Sequence, residues 1–168
     1  MPRSRHDSLS TALGGIAHIF LTHRDDVADA ERYAEHFKSR RIIHRDESSS
    51  QPGAEVILDG EGPWELALGF LAIPTPGRTK GHCVLLFHNR FLFTGDHLDW
   101  DRDEQQLAAS EDYCWYSWPQ QAESMEQLAE YRFEWVLPGH GQKVHLPVDE
   151  MRHHMRRLVK AMRVTSEV

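Results

Sequence analysis

The stretch IPTPGRTKGHCVLLFHNRFLFTGDH, from Ile73 to His97, is the most informative part of the 168-residue chain. Its two apolar runs, CVLLF and FLFTG, are separated by the polar His88-Asn89-Arg90, which is the pattern of a β-hairpin. A turn-rich segment, Pro74 to Gly81, precedes the first run, and Gly95-Asp96-His97 ends the second. Side chains capable of chemistry therefore stand where apolar strands stop.

The same arrangement recurs on both sides of this hairpin. Towards the N-terminus, the apolar run Ala17 to Leu21 reads as a buried strand and ends in Thr22-His23-Arg24-Asp25-Asp26. A helical period follows, with Val27, Tyr33, Ala34 and Phe37 on one broad stripe and Asp25 or Asp26 as its cap. Arg41 to His44 is a second short strand, so strand, helix and strand predict a parallel pair. SSSQPG, residues 48–53, marks a loop, and strands are expected over 54–58 and 65–73. Towards the C-terminus, the acidic stretch 99–112 is expected to be irregular. A helix is expected over 119–131 with Ser117 or Trp118 near its cap, and strand FEWVL leads into Pro138-Gly139-His140-Gly141. A last helix begins near Pro147, and Asp7 to Leu13 reads as a short helix stopped by Gly14-Gly15.

Composition narrows the function. The formal charge is −7 with no long Lys/Arg block, which argues against nucleic acid as the main partner. The basic cluster Arg152, Arg156, Arg157, Lys160 and Arg163 has the spacing of a solvated helix face. No stretch reaches the length of a membrane span, and MPRSRHDSLS lacks the apolar core of a signal peptide, so the expected location is cytoplasmic. Cys83 and Cys114 form no CxxC pair, and Cys83 reads as a buried thiol. Twelve histidines permit a metal site. His18, His44, His88, His145, His153 and His154 read as structural or solvated, and His82 as a surface residue at the start of a strand.

Four strand-end motifs in this order resemble those of the metallo-β-lactamase superfamily. Thr22-His23-Arg24-Asp25 looks like the start of its His-x-His-x-Asp-His motif, and Pro74 to Gly81 resembles its Thr-Pro-Gly-His-Thr-x-Gly segment. Phe93-Thr94-Gly95-Asp96 is similar to its Gly-Asp motif, and Leu137 to Gly141 to its Pro-Gly-His-Gly motif. The resemblance runs from about Gly14 to Gly141. It implies one α/β domain over residues 1–168, built as an αββα sandwich. Only about twenty residues precede His23, so the N-terminal sheet is expected to be incomplete relative to the family. A homodimer across that deficient side is the expected association.

The resemblance also implies a ligand set and shows where it is broken. His23, Asp96 and His140 fall on ligand positions, with Asp96 the usual bridging and nucleophile-orienting carboxylate. Asp25 stands where a second His would be and is carried as a ligand or catalytic residue. Asp26, Asp29, His82 and His97 are further candidates, although Asp25, Asp26 and Asp29 also suit a helix N-terminus. Arg78 occupies the position of the third-motif His, and a guanidinium cannot coordinate a cation. Two arrangements follow. Either one divalent metal (zinc ahead of iron or manganese) is held by some of these residues, or there is no metal and Arg78 supplies the positive charge itself. The first implies a hydrolase whose metal-activated water attacks a small ester or thioester. The second implies a non-catalytic relative that binds a small molecule or serves a structural role.

Overall fold

A computed structural model of the protein describes residues 14–25 and 27–166. The short helix expected over Asp7 to Leu13, and the candidate ligand Asp26, lie outside the described residues.

The first sheet is entirely parallel. Strands β1 (His18–Phe20), β2 (Arg40–His44) and β3 (Val56–Leu58) lie in that order, with Ile19 opposite Arg41 and Ile43 opposite Ile57. Helix α1 (Ala30–Phe37) makes the expected crossover from β1 to β2 and buries Ala30 and Ala34. It starts later than the sequence pattern predicts, because Ala28 takes a left-handed φ of 42° and breaks the helical path. Asp29 is the cap residue but makes no side-chain cap bond. Asp25 is thereby released from the helix. Residues Arg45–Ser50, read in part as loop, form a 3-10 segment capped by His44, whose Nδ1 accepts from the Asp46 amide at 3.2 Å.

The second sheet has six strands. They are β4 (Trp64–Ala67), β5 (Phe70–Pro74), β6 (Cys83–Phe87), β7 (Phe91–Gly95), β10 (Trp135–Pro138) and β11 (Val144–His145), in spatial order β11-β10-β7-β6-β5-β4. All neighbours are antiparallel except β10 and β7. The β6–β7 hairpin appears as predicted, with His88 and Asn89 both at φ 51°, the left-handed pair that a tight hairpin turn requires. The single strand expected over 65–73 is instead a hairpin, β4 and β5, turned at Leu68-Gly69. The acidic stretch expected to be irregular contains a small hairpin, β8 (Asp99–Asp101) with β9 (Gln106–Ala108).

Two helices cover the outer face of this sheet. Helix α2 (Trp118–Leu128) is capped by Ser117, whose side chain accepts from the Gln120 amide. Helix α3 (Val148–Ser166) buries Met151, Met155, Leu158, Val159 and Met162 against Val84, Leu86, Leu92 and Val136. That spacing is one helical stripe, and each such burial stabilises by about 1.5–3 kcal/mol. Its basic residues Arg152, Arg156, Arg157, Lys160 and Arg163 are exposed, as their spacing predicts. A second apolar cluster joins the sheets face to face, with Ile42 and Leu58 meeting Ala72 and the half-buried Trp64 and Leu66. The layers are therefore α1, first sheet, second sheet, and α2 with α3: an αββα sandwich. Among the described residues the first sheet has three strands against six in the second, so the N-terminal layer is the smaller one. Cys83 is a free, buried thiol that burial pushes up to about 12. No helix among the described residues is long and apolar enough to cross a membrane.

Candidate functional site

The parallel pairing of β10 with β7 sets Pro138 opposite Gly95, and the Gly139 amide donates to the Gly95 carbonyl at 2.7 Å. That register delivers Asp96 and His140 side by side, with His140 Nδ1 at 2.8 Å from Asp96 Oδ1. The loop after β1 is held close from the other sheet by the Cys83 amide, which donates to the Thr22 carbonyl at 2.9 Å. Close approach is possible because residue 95 is glycine. Its φ is 55°, and a Cβ there would lie 2.5 Å from Thr22 Oγ1.

The buried His23 has its Nδ1 fixed at 2.9 Å by Thr22 Oγ1. Its Nε2 therefore faces the acids, 3.5 Å from Asp96 Oδ2 and 3.7 Å from Asp25 Oδ2. Both distances are too long for good hydrogen bonds, and neither His23 Nε2 nor Asp25 Oδ2 has a hydrogen-bond partner. Burial holds the His23 imidazole below its ordinary value. Asp96 pulls against that shift and Arg78 adds to it.

Arg78 sits at the centre. Its Nη2 lies 3.0 Å from Asp96 Oδ2, and both side chains are only about a tenth exposed. Nη1 donates to the Tyr113 carbonyl at 3.2 Å, and the guanidinium carbon stands 5.1 Å from the Trp115 ring and 5.9 Å from that of Tyr113. The Trp115 and Ser117 amides donate to the Arg78 and Gly77 carbonyls at 3.0 and 2.9 Å. One residue thus neutralises Asp96 and anchors the aromatic loop over the site. Tyr113 and Trp115 remain exposed, so this loop walls the site rather than filling the core.

The remaining candidates divide. His82 and His97 are wholly buried behind His23, which corrects the expectation of a surface His82; the His23 and His82 ring centroids are 5.1 Å apart. Asp29 is exposed and pairs with Arg32 at 3.7 Å. A residue that sequence reasoning missed is Glu47, fully buried beneath the site. It accepts from the Arg24 amide at 3.0 Å, Arg24 Nε at 2.8 Å and the Gly81 amide at 2.7 Å, bracing the neighbours of His23 and His82. Burial pushes its carboxyl up, but these hydrogen bonds outweigh that and leave it below its ordinary value. A cavity of about 500 Å³ opens over Asp25, Arg78, Asp96, Asp99, Tyr113 and His140.

These residues do not fit the metal centre that the motifs imply. Asp96, the would-be bridging carboxylate, gives one oxygen to His140 and the other to Arg78. Among the described residues, no group of three or more His, Cys, Asp or Glu side chains has the geometry to hold an ion.

No protein-family model matches the sequence. Solved structures do. The chain is similar to ETHE1 from Myxococcus xanthus, with TM-score 0.68 and 19% identity over 93% of this chain and 69% of that one. It is similar to the BLEG-1 B3 metallo-β-lactamase, with TM-score 0.63 and 19% identity over 94% and 86%. A third, the chemotaxis sensor ODP, described as a peroxy diiron species, has TM-score 0.68 and 16% identity over 99% and 84%. The fold is the metallo-β-lactamase fold, as the four strand-end motifs predicted.

Proposed function

We propose that this chain is a metallo-β-lactamase-fold protein that binds a small molecule without a metal ion, Arg78 supplying the positive charge opposite Asp96. The observation that carries this reading is the 3.0 Å contact between Arg78 Nη2 and Asp96 Oδ2 in a nearly closed environment. A buried carboxylate needs a partner, and a planar guanidinium satisfies it with charge and directed hydrogen bonds together. The neighbour described as a diiron species makes a divalent metal the competing occupant, and hydrolysis of a small ester or thioester the competing activity.

The lining favours a cationic ligand. Asp96 is neutralised by Arg78, whereas Asp25 and Asp99 also line the cavity and Asp25 Oδ2 has no hydrogen-bond partner. A primary amine would supply donors to both carboxylates. His140, two-thirds exposed at the rim, would close over the bound group.

The test is elemental analysis of purified protein after incubation with zinc, iron(II) and manganese, together with calorimetric titration with butylamine. The expected result is far less than one ion per chain, and amine binding that weakens in Asp25→Asn and Asp99→Asn. One ion per chain, lost in Asp96→Ala and His140→Ala, would overturn the proposal and restore the hydrolase.

A further inference from the structure

We infer that the ligand is an alkyl amine whose chain leaves the acidic cavity and lies in a second hollow beneath helix α3; the inference rests on the amine site proposed above. This hollow, about 820 Å³, runs between α3 and the β8–β9 hairpin. Its floor is apolar, with Leu107, Trp118, Leu158, Ala161 and Met162, and its volume exceeds that of the acidic cavity. The two hollows share Ala108 and Ala109 as lining residues. The divider between them is therefore built from the smallest side chains that carry a Cβ.

The chemistry changes across that divider. On one side stand the carboxylates Asp25 and Asp99; on the other, Arg157 and Lys160 outnumber the single carboxylate Glu111 at the edge of an apolar trough. A ligand spanning both would carry its cation at the acidic end and methylenes at the other. A second amine at the far end would meet Arg157 and Lys160 unfavourably, with Glu111 alone to offset them, so a monoamine fits better than a diamine. Apolar surface removed from water drives the chain into the trough, and each added methylene strengthens binding until the trough is filled.

Butylamine, octylamine and octanoate are titrated into the protein, with calorimetry and tryptophan fluorescence as readouts. Octylamine is expected to bind at least about tenfold more tightly than butylamine, and octanoate more weakly than octylamine. Ala161→Trp, an exposed helix position that fills the trough, is expected to bring the octylamine-to-butylamine ratio close to unity within that variant. Equal affinity of the two amines for the unaltered protein, or a ratio that survives Ala161→Trp, overturns the trough and leaves the amine site standing. Octanoate binding as tightly as octylamine overturns the assigned polarity. Failure of both amines to bind overturns the amine site itself, and the trough with it.

Discussion

The imidazole rings of His82 and His97 stack with centroids 4.4 Å apart and planes 22° from parallel, and neither is exposed to solvent. His82 Nδ1 lies 2.9 Å from Thr75 Oγ1, while both nitrogens of His97 lack a hydrogen-bond partner. Burial pushes both imidazoles down, with His23 and Arg78 adding to the shift. His82 falls well below its ordinary value and His97 to about 3.

Stability should therefore fall on mild acidification. Both rings are neutral in the folded protein, so above the unfolded value of 6.5 neither costs anything. Below it the unfolded chain takes up protons that the folded one refuses, and stability drops by up to about 1.4 kcal/mol per pH unit for each ring. Urea unfolding at pH 7.5, 6.5, 5.5 and 4.5 measures the slope, and His97→Leu should reduce it. An unchanged slope in that variant would show that His97 does not titrate as its burial requires.

Arg78 and Asp96 should be strongly coupled. Arg78→Met and Asp96→Asn each leave a nearly closed charge without its partner, at about 3 kcal/mol. The double variant should be less damaged than the sum by at least about 1 kcal/mol. Chemical denaturation of the four proteins gives the coupling directly; simple additivity would mean that the contact contributes nothing.

Glu47→Gln should destabilise by about 2–3 kcal/mol, because the fully buried carboxylate accepts from Arg24 and from two backbone amides. Loss below about 0.5 kcal/mol in thermal or urea unfolding would contradict its bracing role.

Gly77→Ala should be costlier than its size implies. A Cβ there would lie 2.6 Å from the Gln121 Cα and 2.8 Å from its amide nitrogen, so helix α2 would have to move. A loss of more than about 2 kcal/mol is expected in thermal unfolding, since backbone cannot swing aside as a side chain does.

Much of the site could be read from strand ends. His23, Asp96 and His140 were legible because each follows closely on an apolar run, and the structure brings the two histidines to the Asp96 carboxylate. Arg78 was legible as a misfit within a known pattern, and the structure places its guanidinium 3.0 Å from Asp96 Oδ2. Glu47 was not legible, since its partners Arg24 and Gly81 are 23 and 34 positions away and RDESSS shows no periodicity. The β8–β9 hairpin was hidden because three residues per strand leave too short an alternation, in a stretch dominated by aspartate. The late start of α1 depends on one left-handed residue, Ala28, a type that rarely signals such a bend.

The charge facing Asp96 belongs to the polypeptide itself. A coordinated ion must be acquired after synthesis and can be stripped by a chelator or exchanged for a stronger binder. A guanidinium cannot be lost, swapped or starved. On the metal-free reading proposed above, the electrostatic balance of this cavity would be fixed when the chain folds, whatever the supply of trace elements around it.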